Sequence, residues 1–176
     1  MSNVGGEMSE RTASKPAAEQ RILSRLMVAR PAVLEAGCGR GTRLAEHRHR
    51  IGRLVGVDRD GDPGDDRTML DDFVTGDLCA PLPFPDRSFD VVYAGFVVEH
   101  MSRRRQAFGE WRRVLRPDGS LLLLTSRLLP RLPWQTTVAL DRDLCRAGFQ
   151  ARELRTADRV RPPGLRSTLV AWYQAA

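Results

Sequence analysis

Three glycines at alternate positions, Gly37, Gly39 and Gly41, follow a short apolar run at residues 32–34. The run predicts a buried strand, and residues 43–51 predict a helix after the turn. Glycine allows a sharp reversal with positive φ and leaves no Cβ where a ligand must approach the backbone. The start of the following helix offers free amide donors to the same ligand. The stretch is therefore a candidate cofactor-binding turn.

The glycine spacing limits which cofactor the turn can hold. A dinucleotide fingerprint, Gly-x-Gly-x-x-Gly, needs its third glycine where this chain has Thr42. A P-loop needs Gly-Lys-Ser/Thr, and the single lysine of the chain is Lys15. The stretch from Glu35 to Gly41 instead resembles motif I of the class I S-adenosylmethionine-dependent methyltransferases, an acidic residue followed by Gly-Cys-Gly-x-Gly. A glycine-rich turn without a ligand is the alternative.

A second strand is predicted over residues 53–58, and it ends on the carboxylate of Asp58, 21 residues after Gly37. An acid near this spacing can accept hydrogen bonds from ribose hydroxyls, because its two oxygens suit the two donors of a diol. A helix N-cap or a turn residue is the alternative role for such an acid. The preceding glycine turn favours the ribose-binding interpretation.

The next stretch matches the methyltransferase family in order and spacing. A short strand ends in Asp77-Leu78, a Pro-Leu-Pro-Phe-Pro-Asp linker follows at residues 81–86, and Ser-Phe-Asp-Val-Val at residues 88–92 enters strand four. By this resemblance, Asp77 would accept a hydrogen bond from the adenine amino group, and Leu78 would offer its backbone amide to the ring. The resemblance also implies cofactor contacts at Glu35, Cys38, Arg59 and Ala94.

The segment after strand four carries Glu99-His100, which resembles the Leu-Glu-His of the small-molecule, methyltransferase type 11-like branch. The Asn/Asp-Pro-Pro-Tyr/Phe motif of amino-methyltransferases that act on nucleic-acid bases or glutamine is missing at this place. Imidazole is suited to general-base catalysis near neutral pH, so His100 is the candidate catalytic residue. A structural role near the methionine end of the cofactor is the alternative.

The elements predict one domain from residue 16 to residue 176, preceded by a polar, disordered tail at residues 1–15. A helix is expected at residues 16–30, either packed beside the sheet or lying over the substrate mouth. The resemblance implies an α/β, Rossmann-like doubly wound sheet of seven strands in the order 3-2-1-4-5-7-6, with strand 7 antiparallel. Residues 60–66 have loop chemistry, so we expect a reduced helix after strand 2.

Arginine supplies almost all of the positive charge behind the net charge of +6. Most of these arginines are scattered, which indicates a compositional origin and argues against nucleic acid as a partner. A run at Arg103, Arg104 and Arg105 stands out, because Ser102 is expected to cap a helix here and the helix dipole disfavours cations. The run is either a solvated cluster or a contact for an acidic substrate or partner.

The three cysteines, Cys38, Cys79 and Cys145, contain no Cys-x-x-Cys pair. We therefore expect a reducing compartment and no metal site. Residues 1–15 lack the apolar segment of a signal peptide, and no run of the sequence is long enough to span a membrane. These features predict a cytoplasmic protein.

The sequence as a whole predicts an enzyme, one that transfers the methyl group of S-adenosylmethionine to an unidentified small molecule. The sulfonium methyl is already activated, so the enzyme's tasks are alignment and exclusion of water. The alternatives are a nucleic-acid-directed methyltransferase and a non-catalytic, methyltransferase-like partner protein. Because little chain is available to cover the substrate, we expect a pocket that is either open or closed by the N-terminal helix, by a second copy in a homo-oligomer or by a partner chain.

Overall fold

The computed structural model describes residues 17–60, 69–127, 137–158 and 167–176. Seven strands form one mixed sheet in the order β3-β2-β1-β4-β5-β7-β6, which confirms the predicted order. Strands β1 to β5 run parallel to their neighbours among themselves, and β7 pairs antiparallel with β5 and β6. The strands are β1 (Ala32–Ala36), β2 (Arg53–Asp58), β3 (Asp72–Thr75), β4 (Phe89–Gly95), β5 (Leu115–Arg127), β6 (Phe149–Asp158) and β7 (Ser167–Ala175).

In the described ranges three α-helices accompany the sheet: α1 (Ala17–Leu26), α2 (Arg104–Val114) and α3 (Thr137–Arg146). None of the helices in the described ranges is long and apolar enough to cross a membrane. The predicted tail and most of the loop after β2 lie outside the described residues, so the reduced helix at that point stays a prediction.

The segment after the glycine turn differs from its prediction, because it forms a 3-10 helix at Ala45–Arg50 and not an α-helix. Leu44 and Ile51, on either side of it, are both fully buried. These two anchors leave only six residues between them, fewer than two turns of an α-helix.

Each face of the sheet has its own apolar core, because side chains alternate along the strands. In β4, Val91 and Tyr93 point to the face covered by α1, whereas Val92 points to the face covered by α2 and α3. Helix α2 buries the stripe predicted from its spacing, and that stripe includes Phe108 and Trp111. The core is therefore layered as helix, sheet and helix.

Helix α1 is held to the sheet by a buried polar contact. The Tyr93 hydroxyl donates to Glu19 Oε1 at 2.6 Å and accepts from Arg43 Nε at 3.1 Å. Burial raises the pKa of Tyr93 well above its ordinary value, and the negative charge of Glu19 adds to the rise. Residues 17–26 therefore pack beside the sheet, and they do not lie over the substrate mouth.

An ion-pair cluster joins α2 to α3. Arg104 donates from Nε and Nη2 to Asp143 Oδ2 at 2.9 and 2.7 Å, and Arg105 donates from Nε to Oδ1 at 2.8 Å. Only 14% of the Arg104 side chain and 4% of the Asp143 side chain are exposed, so the solvated-cluster interpretation is wrong for Arg104. Ser102 does not cap α2, since Arg103 holds the N-cap position and makes no capping hydrogen bond.

Loss of this carboxylate should destabilise the fold. Asp143→Ala removes the carboxylate that pairs with the buried guanidinium of Arg104, and we expect a loss of about 3–5 kcal/mol in the free energy of unfolding. Asp86→Ala is the control, because Asp86 is 71% exposed in its pair with Arg113. The control should cost less than about 1 kcal/mol, and equal losses for the two variants in urea unfolding would contradict the assignment.

The Asp143 effect should also depend on pH. Burial alone would raise the pKa of Asp143, but hydrogen bonds from Arg104 and Arg105 outweigh it, so the pKa lies below the ordinary 3.8. The stabilisation is therefore fully present above pH 3.8 and is lost as pH falls through the lowered pKa. The stability difference between the native chain and Asp143→Ala should shrink in that acid range.

Candidate functional site

A cavity of about 340 Å³ lies beyond the carboxyl ends of the strands. It opens where β1 stands between β2 and β4, the point at which the strand order reverses and ligands bind in doubly wound sheets. Its volume falls within the range of small-molecule sites, about 300–1,000 Å³. The cavity lining includes six of the sequence-predicted residues: Gly37, Asp58, Arg59, Asp77, Leu78 and His100.

Gly37 sits where no side chain fits. Its φ is +76°, and a Cβ at this position would lie 2.5 Å from Cγ2 of Val97, which follows β4. The Gly37 amide donates to the Val57 carbonyl at 2.8 Å. The turn after β1 is therefore wedged between the ends of both neighbouring strands, with its backbone forming part of the cavity wall.

The carboxylate of Asp58 connects β2 to the glycine turn. Gly39, with a φ of +62°, does not line the cavity, but its amide donates to Asp58 Oδ2 at 2.7 Å. The amide of Asp60 donates to Oδ1 at 3.3 Å. A carboxylate has about four lone-pair sites, so Asp58 keeps acceptor capacity toward the cavity.

The carboxylate of Asp77 is enclosed by donors at one end of the cavity. It accepts from the Cys79 amide at 2.9 Å and from Arg103 Nη2 at 3.1 Å, and Arg59 Nη2 lies 3.8 Å away. The hydrogen bond from Cys79 and the two guanidinium charges lower the pKa of Asp77. The sequence contained the arginine run but no signal that Arg103 reaches back to Asp77, since that contact depends on the path from β4 to α2.

Three predicted residues lie behind the cavity wall. The Glu35 carboxylate is buried and accepts from the Arg43 amide at 2.8 Å and from the Thr42 hydroxyl, so it supports the chain after the glycine turn. Cys38 is buried, and burial together with nearby negative charge raises the pKa of its thiol to about 12. Ala94 is fully buried in the core. The predicted cofactor contacts of these side chains are not cavity contacts.

The segment after β4 supplies cavity residues that the sequence analysis missed, including Phe96, Val97 and Met101. Phe96 has a φ of +58°, which is rare and strained for a bulky residue and is found mainly at functional sites. Its amide donates to the Leu124 carbonyl at 2.8 Å, and the guanidinium of Arg43 lies 5.0 Å from its ring centroid. No residue pattern in the sequence indicates this backbone geometry.

His100 lines the cavity but is not held like a catalytic base. It lies at the end of a 3-10 segment, Val98–His100, and is exposed. Its side chain makes no hydrogen bond or ion pair within the described part of the chain, whereas the neighbouring Glu99 accepts from the Thr125 hydroxyl at 3.1 Å. The imidazole can contact a ligand, and none of the described residues fixes its orientation by a hydrogen bond.

A family model described as a methyltransferase domain matches residues 34–123. This range runs from the strand before the glycine turn to β5, and so includes the cavity. The chain belongs to the S-adenosylmethionine-dependent methyltransferase family. The family uses S-adenosylmethionine as its methyl donor, so the resemblance predicted from the motifs is confirmed.

Two sequence relatives agree with this membership. A protein of Mycolicibacterium smegmatis named "Probable S-adenosylmethionine-dependent methyltransferase" is 36% identical over 72% of this chain and 47% of its own length. A ubiquinone/menaquinone biosynthesis C-methyltransferase of Roseobacter denitrificans is 46% identical over 34% of this chain and 23% of its own length. This chain thus spans about half, or less, of the curated relatives it matches.

The crystal structure of the 4+2 cyclase SpnF superimposes with a TM-score of 0.72 over 90% of this chain and 82% of that chain, at 18% sequence identity. This likeness shows the seven-stranded fold alone. Since that protein is named a cyclase, a shared fold does not fix the reaction.

The contact between Gly37 and Val97 can be tested with a double-mutant cycle. Gly39→Ala introduces only the strain of a positive φ, about 1–2 kcal/mol. Gly37→Ala adds the overlap with Val97, a further loss of about 1–3 kcal/mol. In a Val97→Ala background this further loss should largely disappear in urea unfolding. If the stability losses of Gly37→Ala and Val97→Ala simply add in the double variant, residues 37 and 97 do not overlap.

Proposed function

We propose that this chain binds S-adenosylmethionine in the cavity beyond β1, β2 and β4 and transfers its methyl group to a small molecule. The observation that carries the proposal is the joint placement of Gly37 and Asp58. A bare backbone at positive φ and a carboxylate with spare acceptors face one cavity of suitable volume. Among the described residues, these are the features best matched to a nucleoside edge and a ribose diol.

In this proposal two acids contact different parts of the cofactor. Asp58 accepts from the ribose hydroxyls, and the amide of Leu78 and the carboxylate of Asp77 face the adenine. Arg59 and Arg103 now hold Asp77, so the adenine amino group adds to that hydrogen-bonded group or displaces one arginine from it. Gly37 lets the cofactor pass close to the turn, and Phe96 and Val97 supply apolar contact.

The reaction itself needs no covalent intermediate on the protein. When bound, S-adenosylmethionine would supply an activated methyl group: a substrate nucleophile would take that methyl from the sulfonium sulfur, S-adenosylhomocysteine would be released, and any proton on the nucleophile would pass to solvent. Cys38 takes no part as a nucleophile, because its buried thiol stays protonated near neutral pH. Alignment and exclusion of water supply most of the rate, with the loop after β4 forming the substrate side.

We favour a small-molecule acceptor over a base in a nucleic acid, because the segment after β4 lacks the Asn/Asp-Pro-Pro-Tyr/Phe motif. Carbon is one candidate for the acceptor atom, because the ubiquinone/menaquinone relative is named a C-methyltransferase. The closing of the cavity by a second copy of the chain or by a partner chain remains a prediction.

Asp58 provides the direct test of cofactor binding. Asp58→Ala should weaken S-adenosylmethionine binding by about 1.5–3 kcal/mol, because hydrogen bonds to a charged acceptor are lost. Asp72→Ala is the control, since Asp72 is an exposed carboxylate at the start of β3, outside the cavity. Calorimetric titration of both variants measures the effect. An unchanged dissociation constant in folded Asp58→Ala would remove Asp58 from the site.

His100 tests the mechanism separately. We expect a supporting contact, so His100→Ala should lower kcat by less than about tenfold. Loss of a general base typically lowers kcat by about 10²–10⁴-fold. The cofactor dissociation constant is measured in parallel to separate the two roles. A kcat loss of about a hundredfold or more with unchanged cofactor affinity would make His100 the base.

A further inference from the structure

A second cavity, of about 640 Å³, lies next to the cofactor cavity. Met101 and Ser102 line both, so a molecule in one cavity borders the other. Its remaining walls come from the start of α2 and from α3. They consist of Arg103, Arg104, Arg105, Gln106, Arg142 and Asp143, and we call this space the arginine cavity.

The charges around the arginine cavity do not cancel. Four guanidinium groups face one carboxylate, that of Asp143. Both oxygens of Asp143 are already bound by Arg104 and Arg105 inside the protein. Asp77 pairs with Arg103 from the cofactor side and does not line this cavity. A positive excess therefore remains on the cavity wall.

Two of these arginines have donors to spare. Arg142 is exposed and makes no hydrogen bond or ion pair within the described part of the chain. Arg105 uses Nε on Asp143, and 64% of its side chain is exposed. The ion pair with Asp143 fixes where Arg105 projects from α2. A planar guanidinium offers paired donors that match the oxygens of a carboxylate or a phosphate.

We propose that the arginine cavity binds an anionic group, a carboxylate or a phosphate, on the small molecule that accepts the methyl group. This inference rests on the proposed function, because it treats the neighbouring cavity as the methyl donor's site. The shared wall at Met101 and Ser102 lets one molecule have its charged end among the arginines while another part enters the cofactor cavity. Arg105 and Arg142 then act as residues that select anionic substrates.

The small extent of the charged concavity favours a small anion over a nucleic acid. Phosphates of a duplex are spaced along a helix and need an extended positive face. Here the concentrated charge lines a concavity bounded by α2 and α3, next to a site of nucleoside size.

The test is a calorimetric titration of the full chain with inorganic phosphate and with succinate, each with and without saturating S-adenosylhomocysteine. We expect at least one anion to bind, and the tighter one identifies the phosphate or the carboxylate class. Arg142→Gln and Arg105→Gln should each weaken that binding by about tenfold or more. Arg21→Gln removes an equal charge from an exposed position of α1, on the opposite face of the sheet. This control should leave the dissociation constant within about twofold of the native value.

Three results would overturn the inference. One is the absence of millimolar binding of either anion while the homocysteine product still binds. Another is an equal loss in Arg21→Gln, which would mean that only net charge matters. The third is tighter binding of duplex DNA with the same dependence on Arg105 and Arg142. Failure of the chain to bind the cofactor at all would instead refute the proposed function, and any anion binding would then lose its assignment as substrate recognition.

Discussion

The hydrogen bond from the Gly39 amide to the Asp58 carboxylate joins the ends of two parallel strands, and the site depends on that junction. Parallel strands bring their carboxyl ends to one edge of the sheet, where ligands of doubly wound folds bind. Here the loop after β1 is fixed to β2 by Asp58 and is pressed against the loop after β4 at Gly37. A ligand at this edge meets a preformed wall.

Buried polar groups stabilise this wall from behind. Glu35, in the middle of a buried strand, accepts hydrogen bonds from the chain after the glycine turn, so its charge is compensated within the fold. On the α1 face, Tyr93 connects Glu19 to Arg43, and Arg43 packs over the ring of Phe96 in the cavity wall. Such groups cost energy if left unpaired, so pairing them fixes one arrangement of the loops. Helix α1 thereby supports the site without touching it.

The sheet order could be predicted because the motifs resemble those of a known family, and the place of the candidate site could be predicted because the glycine turn and the acid that ends β2 are local signals. The parts that could not be predicted depend on contacts between distant segments. Arg104 is buried because it pairs with Asp143 on another helix. Nothing in the run of three arginines distinguishes Arg104 from Arg103 and Arg105. The supporting role of Glu35 follows in the same way from hydrogen bonds with the chain beyond the turn.

A crystal structure of the full chain grown with S-adenosylhomocysteine tests the central claim most directly. The account predicts the ribose hydroxyls within hydrogen-bond distance of the Asp58 carboxylate and the adenine beside Leu78, with the backbone of Gly37 in contact with the ligand. A ligand bound elsewhere, or crystals that stay empty at saturating product together with no heat of binding in solution, would contradict it.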